Sequence, residues 1–407
     1  MNWLLSRTKG DFVIWAIVMM LSLFGVLAVY SSTGTLAYKR YAGNTELLLA
    51  KHLFLLLMGI GFMYLAHLVD YRYYYGIARV LLIISVPLLI YTLLFAPVIN
   101  DARRWISIPI INATFQTSDL AKVALIMYVA RMLSKKQEDI KDFKKAFLPI
   151  ISAVVGVCLL IAPANLSTAL VLFSTCAIVM FIGRINFKYL MLMAGAGIVG
   201  MGLLIGILFS VPEESLGKIG GRFLTWKSRI EVFVNQDGES NIDNDYQSKQ
   251  AKIAIATGGV FGKGPGNSTQ RNFLPHPYSD FIFAVVVEEY GMVGGLVLIF
   301  IYLLFLWRTI RIVVRSPKAF GALLAFGLSL SLVIQAFINM AVAVNIFPVT
   351  GLPLPLVSMG GTSLWFTSFA FGVILSVSRF IDGSEEMGAG NTEVNAVTNT
   401  KEEVTHG

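Results

Sequence analysis

"FVIWAIVMMLSLFGVLAVY", residues 12–30, carries no charged side chain. Runs of this kind recur along the chain, each long enough to cross a hydrocarbon core ~30 Å thick. No water in that layer can satisfy a free backbone group, so each run is expected as a helix that satisfies its own. Ten spans are expected near 12–30, 52–69, 77–96, 117–133, 147–163, 166–183, 188–210, 281–307, 319–343 and 355–378. The fourth is the least apolar, because it holds Lys122 and Arg131. The first is an anchor rather than a signal peptide, since no small-residue cleavage site follows it. Composition agrees: the chain is 56% hydrophobic and 14% charged, where a soluble domain carries roughly 25% charged residues. The expected fold class is an all-α integral membrane protein of about ten transmembrane helices with one large extracytoplasmic loop.

Lys and Arg in the short loops set the orientation. With the N-terminus inside, the inner segments (7–9, 72–79, 135–145, 184–188, 308–318 and 379) hold sixteen of them. The short outer loops hold five, at 39–40, 51 and 103–104. Both termini are therefore expected in the cytoplasm. The net charge of +8 follows from topology and does not point to nucleic acid. Cys158 and Cys176 fall inside expected spans, so no disulfide framework is indicated. The four histidines show no metal-ligand spacing.

Residues 211–280 break the hairpin rhythm and fall outside by this topology. Loops this long are functional or disordered. "RFLTWKSRIEVFV" sets Phe223, Trp226, Ile230 and Phe233 at helical spacing, with Arg222, Lys227 and Arg229 between them. Two readings stand: a helix in the headgroup plane, or a loop helix packed on the bundle. "YQSKQAKIAIATGG" reads as a second helix, ended by Gly258 and Gly259. Residues 381–407 are polar and read as a disordered cytoplasmic tail. No internal repeat is visible, which counts against the inverted-repeat transporter folds.

"FLPHPYSDFIFAVVVEEYG", residues 273–291, places three carboxylates where the chain enters a span. Ser279 can cap the helix, which would put Asp280 in its first turn, where the helix dipole favours a carboxylate. One reading makes Asp280 a helix-start residue alone. Glu288 and Glu289 lie two turns deeper, where an ionisable group is costly. At 3.6 residues per turn Glu288 sits roughly 80° around from Asp280 and could share a cavity with it. Glu289 lies opposite and is expected to pair with a cation on another helix. Arg103, Arg104 and Lys122 are candidate cations; Arg suits bidentate phosphate binding and Lys acts as a point charge. The combination fits an anionic lipid-linked substrate, and a set of structural ion pairs is the plainer reading. "GKGPGNST" is not a phosphate-binding P-loop, because no strand–helix unit surrounds it. It lets the backbone approach a ligand or a neighbouring helix. "NIFPVTGLPLPLVSMGGTS" is irregular at membrane depth and is expected to wall an outward-facing pocket.

Four stretches together resemble the SEDS family of bacterial cell-wall polymerases, the FtsW/RodA/SpoVE group, over roughly residues 10–380. "RRWISIPIINATFQTSDLAK" is similar to the family's Arg-Trp…Gln-Pro-Ser-Glu…Lys segment. "GGVFGKGPGNSTQRNFLPHPYSDFIFAVVVEEYG" is similar to its Gly-rich loop and Asp-Phe-Ile-Phe-Ala run. "NIFPVTGLPLPLVSMGGTS" matches its Pro-x-Thr-Gly…Ser-x-Gly-Gly segment, and "APANLSTAL" stands where Pro-Asp-x-Gly-Thr is frequent. Thr117, Asp119, Asn165, Ser167 and Thr362 depart from the pattern. Asn165 removes a carboxylate, which puts an acid–base or metal role there in doubt. "IAPANLSTALVLF" and the long first external loop lean toward the division-type, FtsW-like branch.

The resemblance implies polymerisation of lipid II, an undecaprenyl-pyrophosphate-linked disaccharide peptide, on the outer face of the bacterial cytoplasmic membrane. It implies a class B penicillin-binding transpeptidase and other divisome membrane proteins as partners, and the septum as the place. The family's essential aspartate falls on Asp280, the general base. Arg104 and Lys122 would neutralise pyrophosphate charge. Gln116, Ser118, Ser358, Gly360 and Gly361 would line the substrate site, and Arg222 and Trp226 would steer the lipid headgroup or the growing strand. Glu288 and Glu289 would be structural. No cofactor is assigned, although a divalent cation, Mg or Mn, could share the charge. A lipid II flippase and a non-catalytic divisome scaffold are the rival readings. A flippase needs ionisable residues lining both leaflets, and a scaffold has no need of Asp280.

Overall fold

The structure, a computed structural model, describes residues 10–34, 36, 38, 44–98, 103–108, 113–210, 221–234 and 242–381. Every expected span coincides with a helix. In chain order these are α1 Phe12–Ser32, α2 Thr45–Leu68 and α3 Tyr71–Phe95. After a hairpin come α4 Thr117–Lys135, α5 Leu148–Ile161, α6 Leu166–Ile182 and α7 Phe187–Ser210. Two shorter helices of the large loop follow, α8 Gly221–Val234 and α9 Ile242–Gly258. Then come α10 Ile282–Arg315, α11 Ala319–Ala343 and α12 Ser363–Ile381. Among the described residues eight helices are long and apolar enough to cross a membrane, α5 together with the π-helical turn Phe143–Phe147 that leads into it. At 17 residues α6 is shorter, while α4 carries Asp119, Lys122, Arg131 and Lys135.

Local chemistry sets the helix ends. Asp11 caps α1, its Oδ1 accepting from Val13 N–H at 2.9 Å and Ile14 N–H at 3.2 Å. Asn44 caps α2 through Leu47 N–H, so that helix starts earlier than its apolar run suggests. Conversely, α12 starts later than expected, at Ser363. Pro353 and Pro355 lack the N–H a helix needs, and residues 351–362 stay non-helical. Of residues 381–407, expected as a disordered tail, Ile381 is the last residue of α12 and the rest lie outside the described residues.

The sequence reading did not anticipate a hairpin. Strands β1 Trp105–Ile108 and β2 Ala113–Gln116 pair antiparallel, Trp105 opposite Gln116 and Ile108 opposite Ala113. The Thr362 hydroxyl donates to the Thr114 carbonyl at 2.8 Å and ties this hairpin to the segment before α12.

The bundle centres on α11 and α12, whose apolar stretches are 67% and 72% buried, against 11% for α7. Ile198, Val199 and Leu203 of α7 face outward. One continuous core joins α1, α3, α4, α10, α11 and α12. Helix α10 breaks at Gly291 (φ 70°, ψ −170°), a left-handed conformation that costs other residues energy. The Gly-rich loop is spliced into the break. Lys263 N–H donates to the Glu288 carbonyl at 3.0 Å and Gly264 N–H to that of Glu289 at 2.9 Å. In return, Met292 N–H donates to the Gly259 carbonyl at 2.9 Å. A Cβ on Gly262 would overlap the Glu289 carbonyl. The loop therefore approaches a neighbouring helix, one of its two expected uses.

Candidate active site

Asp280 lies in a turn before α10, and the helix's N-cap is Phe281, with no side-chain cap bond. Asp280 therefore precedes the N-cap and does not lie in the first turn, where it was expected. Ser279 does not cap the helix; its hydroxyl donates to Asp280 Oδ1 at 3.1 Å. Asp280 serves no cap, and its carboxylate is left for another use.

The turn is held from three sides. Asn339 Nδ2 of α11 donates to the Asp280 carbonyl at 3.0 Å and to the Leu352 carbonyl at 2.7 Å. Ser358 Oγ donates to the Ser279 carbonyl at 2.7 Å and accepts from Leu354 N–H at 2.8 Å. Met359 N–H donates to the Tyr278 carbonyl at 2.9 Å. Ser358, expected to touch substrate, is thus fully engaged in pinning the Asp280 turn and is buried.

Across the site stands Arg104, anchored by Nε to the Ala164 carbonyl at 2.7 Å and lying over the Trp105 ring. Gly351 (φ +69°) separates the two: a Cβ there would lie 3.8 Å from Asp280 Oδ2 and 3.9 Å from Arg104 Nη1. Carboxylate and guanidinium therefore flank one space that the missing side chain leaves open. Arg229 of α8 joins them, its Nη1 donating to the Val349 carbonyl at 2.8 Å. Loss of water raises the Asp280 pKa, opposed by His276, the Ser279 hydroxyl and Arg229. Among the described residues no three His, Cys, Asp or Glu gather to hold a metal. A divalent cation beside Asp280 would need oxygens from substrate phosphate and water.

The other expected residues are distributed as follows. Lys122 pairs with Asp119 Oδ1 at 3.2 Å and donates to Gln335 Oε1 at 2.8 Å. Gln335 Nε2 continues to the Pro353 carbonyl at 2.8 Å. Lys122 thus reaches the Asp280 region through α11. Gln116 accepts from Trp105 Nε1 at 3.1 Å and donates to Ser118 Oγ at 3.0 Å. Ser118 and Arg104 line one small cavity with Asn165, whose side chain caps α6 through Thr168 N–H. Gly360 and Gly361 sit in the turn before α12, Gly361 with φ +55°.

Trp226, expected to steer a headgroup, is instead 9% exposed and packs with Leu208, Phe223 and Leu224. That packing matches the loop-helix reading of α8. The side chain of Arg222 lies outside the described residues. Glu288 does not share a cavity with Asp280. Its carboxylate faces the spliced loop, meeting Lys263 Nζ at 2.6 Å, Ser268 Oγ at 2.5 Å and Thr269 N–H at 3.1 Å. Glu289 accepts from Ser31 Oγ of α1 and from Ser268 N–H at 3.4 Å, partners other than the expected cation on another helix.

Two residues escaped the sequence reading: Gln335 and Asn339. Gln335 and Asn339 are amides one turn apart inside a span, a polar pair that marks buried hydrogen bonding in a membrane helix. Arg229 was legible only as one of several cations on a loop helix.

Residues 11–382 match the family model of the FtsW, RodA and SpoVE proteins, described as "Cell cycle protein". The chain is 32% identical over 381 residues to stage V sporulation protein E of Bacillus subtilis (strain 168), covering 92% of this chain and 98% of that one. It is 34% identical over 389 residues to a probable peptidoglycan glycosyltransferase FtsW of Geobacter sp. (strain M18), covering 93% and 100%. The fold is shared with RodA of Thermus thermophilus, at TM-score 0.65 and 24% identity, over 91% of this chain and 97% of that one. A chain from work on a peptidoglycan synthase complex that coordinates polymerization and crosslinking superposes at TM-score 0.71, with 24% identity and coverage of 91% and 98%. With a family model spanning nearly its whole length and relatives aligned end to end, this chain belongs to the FtsW/RodA/SpoVE family of cell cycle proteins.

Proposed function

We propose that the protein is a peptidoglycan glycosyltransferase that polymerises lipid II on the outer face of the cytoplasmic membrane, with Asp280 as general base. One observation carries the reading: a carboxylate that caps nothing, facing Arg104 across a glycine. Asp280 takes the proton of the acceptor sugar's 4-hydroxyl, a step worth typically ~10²–10⁴-fold. The freed oxygen bonds to the donor's anomeric carbon, and the bond from that carbon to the pyrophosphate breaks. Arg104 and Arg229 offset the charge that develops on the leaving phosphate. Lys122, neutralised by Asp119, acts through Gln335 on the 352–353 turn. Any divalent cation would add Lewis-acid charge beside Asp280.

Orientation with both termini in the cytoplasm is supported by the sixteen-to-five distribution of Lys and Arg. The FtsW-named relatives support a division role at the septum. Likeness to a chain from a polymerizing and crosslinking complex supports a class B transpeptidase partner.

The test uses detergent-solubilised protein with its transpeptidase partner and labelled lipid II. Without a closed bilayer a flippase has nothing to do, while an enzyme still joins sugars. Long glycan is expected, insensitive to a β-lactam and reduced at least about a hundredfold by Asp280→Asn. Full polymerisation by the variant would end the assignment. Lipid II crossing liposomes, with no polymer in detergent, would make the protein a flippase.

A further inference from the structure

At the other end of α10 lies a cavity of 190 Å³ between the start of α1 and the ends of α10 and α12. It offers far more room than one water needs (~30 Å³). Arg308, Arg311 and Arg315 line it with Asp11, Phe12 and Ser378. Asp11 is engaged already. One oxygen caps α1 and the other accepts from Arg308 Nε at 2.5 Å, while its own N–H donates to Ser378 Oγ at 2.9 Å. Arg311 lies 4.3 Å over the Trp307 ring. Among the described residues neither Arg311 nor Arg315 meets a carboxylate. The lining therefore carries two positive charges that no carboxylate among the described residues offsets.

Apolar side chains flank this basic pocket. Phe12, Trp307 and Val314 are exposed. Arginine beside exposed aromatic and aliphatic groups at the ends of spans is the chemistry of the headgroup layer. The guanidinium fork fits phosphate oxygens two at a time, and basic pockets between spans hold anionic headgroups.

We propose that this pocket binds the phosphodiester headgroup of an anionic phospholipid. Arg311 and Arg315 hold the phosphate, and the acyl chains run along Phe12 and Val314. Assignment to the cytoplasmic leaflet rests on the orientation given above; the binding itself does not rest on the glycosyltransferase reading.

The experiment measures the thermal midpoint of delipidated full-length protein in detergent, titrated with phosphatidylglycerol, phosphatidylcholine or inorganic phosphate. Phosphatidylglycerol is expected to raise the midpoint, and the other two are not. R311Q/R315Q is expected to bind phosphatidylglycerol about tenfold more weakly or worse. R311K/R315K keeps the charge and loses the fork, and falls between. K135Q removes an exposed cation on the same side outside the pocket and binds as the wild type does. Should R311Q/R315Q fail to fold, native mass spectrometry of the wild type is expected to retain phosphatidylglycerol over phosphatidylcholine. Equal loss in K135Q, or undiminished stabilisation in R311Q/R315Q, would overturn the proposal. An equal shift from phosphate alone would assign the pocket to a soluble anion. Binding that emerges only in D382N/E385Q/E386Q would mean that the chain's own carboxylates fill it, and the lipid reading would fall.

Discussion

Asp280 differs from the other carboxylates of its stretch in what it does not do. Glu288 has four partners in the Gly-rich loop, and Glu289 is tied to Ser31 and Ser268. Asp280 has one neighbouring hydroxyl and an arginine across a gap. Its pKa is raised above the ordinary carboxylate value by loss of water, and Arg229 pulls it back. A base works only when ionised. Polymerisation should therefore be full above the raised pKa and fall on acidification through it, at a pH above that of a free aspartate (~3.9). R229Q removes a charge that favours the ionised form, so the acid limb should move to higher pH. A pH–rate profile of the two proteins checks this; an unmoved limb would separate Arg229 from the Asp280 charge.

Two elements hold the site. Helix α10 starts beside Asp280 and carries, farther along, the break into which the loop is spliced. Glu288 clamps that splice from a fully buried position. E288A leaves Lys263 without its anion; that side chain is 29% exposed, so the cost falls below the roughly 3–5 kcal/mol of a fully buried pair, to about 1–3 kcal/mol. A lowered thermal midpoint is expected for E288A and an unchanged one for D280N, which distinguishes clamp from base by melting alone. Helix α11 contributes Asn339, whose amide holds the carbonyls of Asp280 and Leu352 together. N339A strands both carbonyls, a loss of about 1–3 kcal/mol. Turnover should drop about tenfold, as the Asp280 turn loosens.

For the molecule as a whole, the orientation decides on which side the chemistry happens. The native cysteines, Cys158 and Cys176, are buried, so a cysteine placed on the surface reports alone. Phe261→Cys, at a loop position 83% exposed, should react with an impermeant thiol reagent on intact spheroplasts, and Glu138→Cys should not. The opposite labelling would turn the molecule over and put Asp280 in the cytoplasm.

The spans were legible in the sequence because a membrane helix needs only an uninterrupted apolar run, and each of the ten runs carries that information within itself. Asp280, Arg104 and Lys122 were visible because charge is rare in such a chain. What the sequence could not supply is pairing across distance. Whether Glu288 joined Asp280 or the loop depended on a helix that begins at Ile282 and breaks at Gly291. Ser358 was read as a substrate contact, yet it proved to be a staple, since its partner carbonyl lies 79 residues away in the chain. Local chemistry chose the helices and the rare charges. Tertiary structure alone decided which carboxylate was clamped by distant residues and which was left with only a neighbouring hydroxyl, because a hydrogen bond is a matter of position in space, and residues far apart in sequence meet only when the bundle closes.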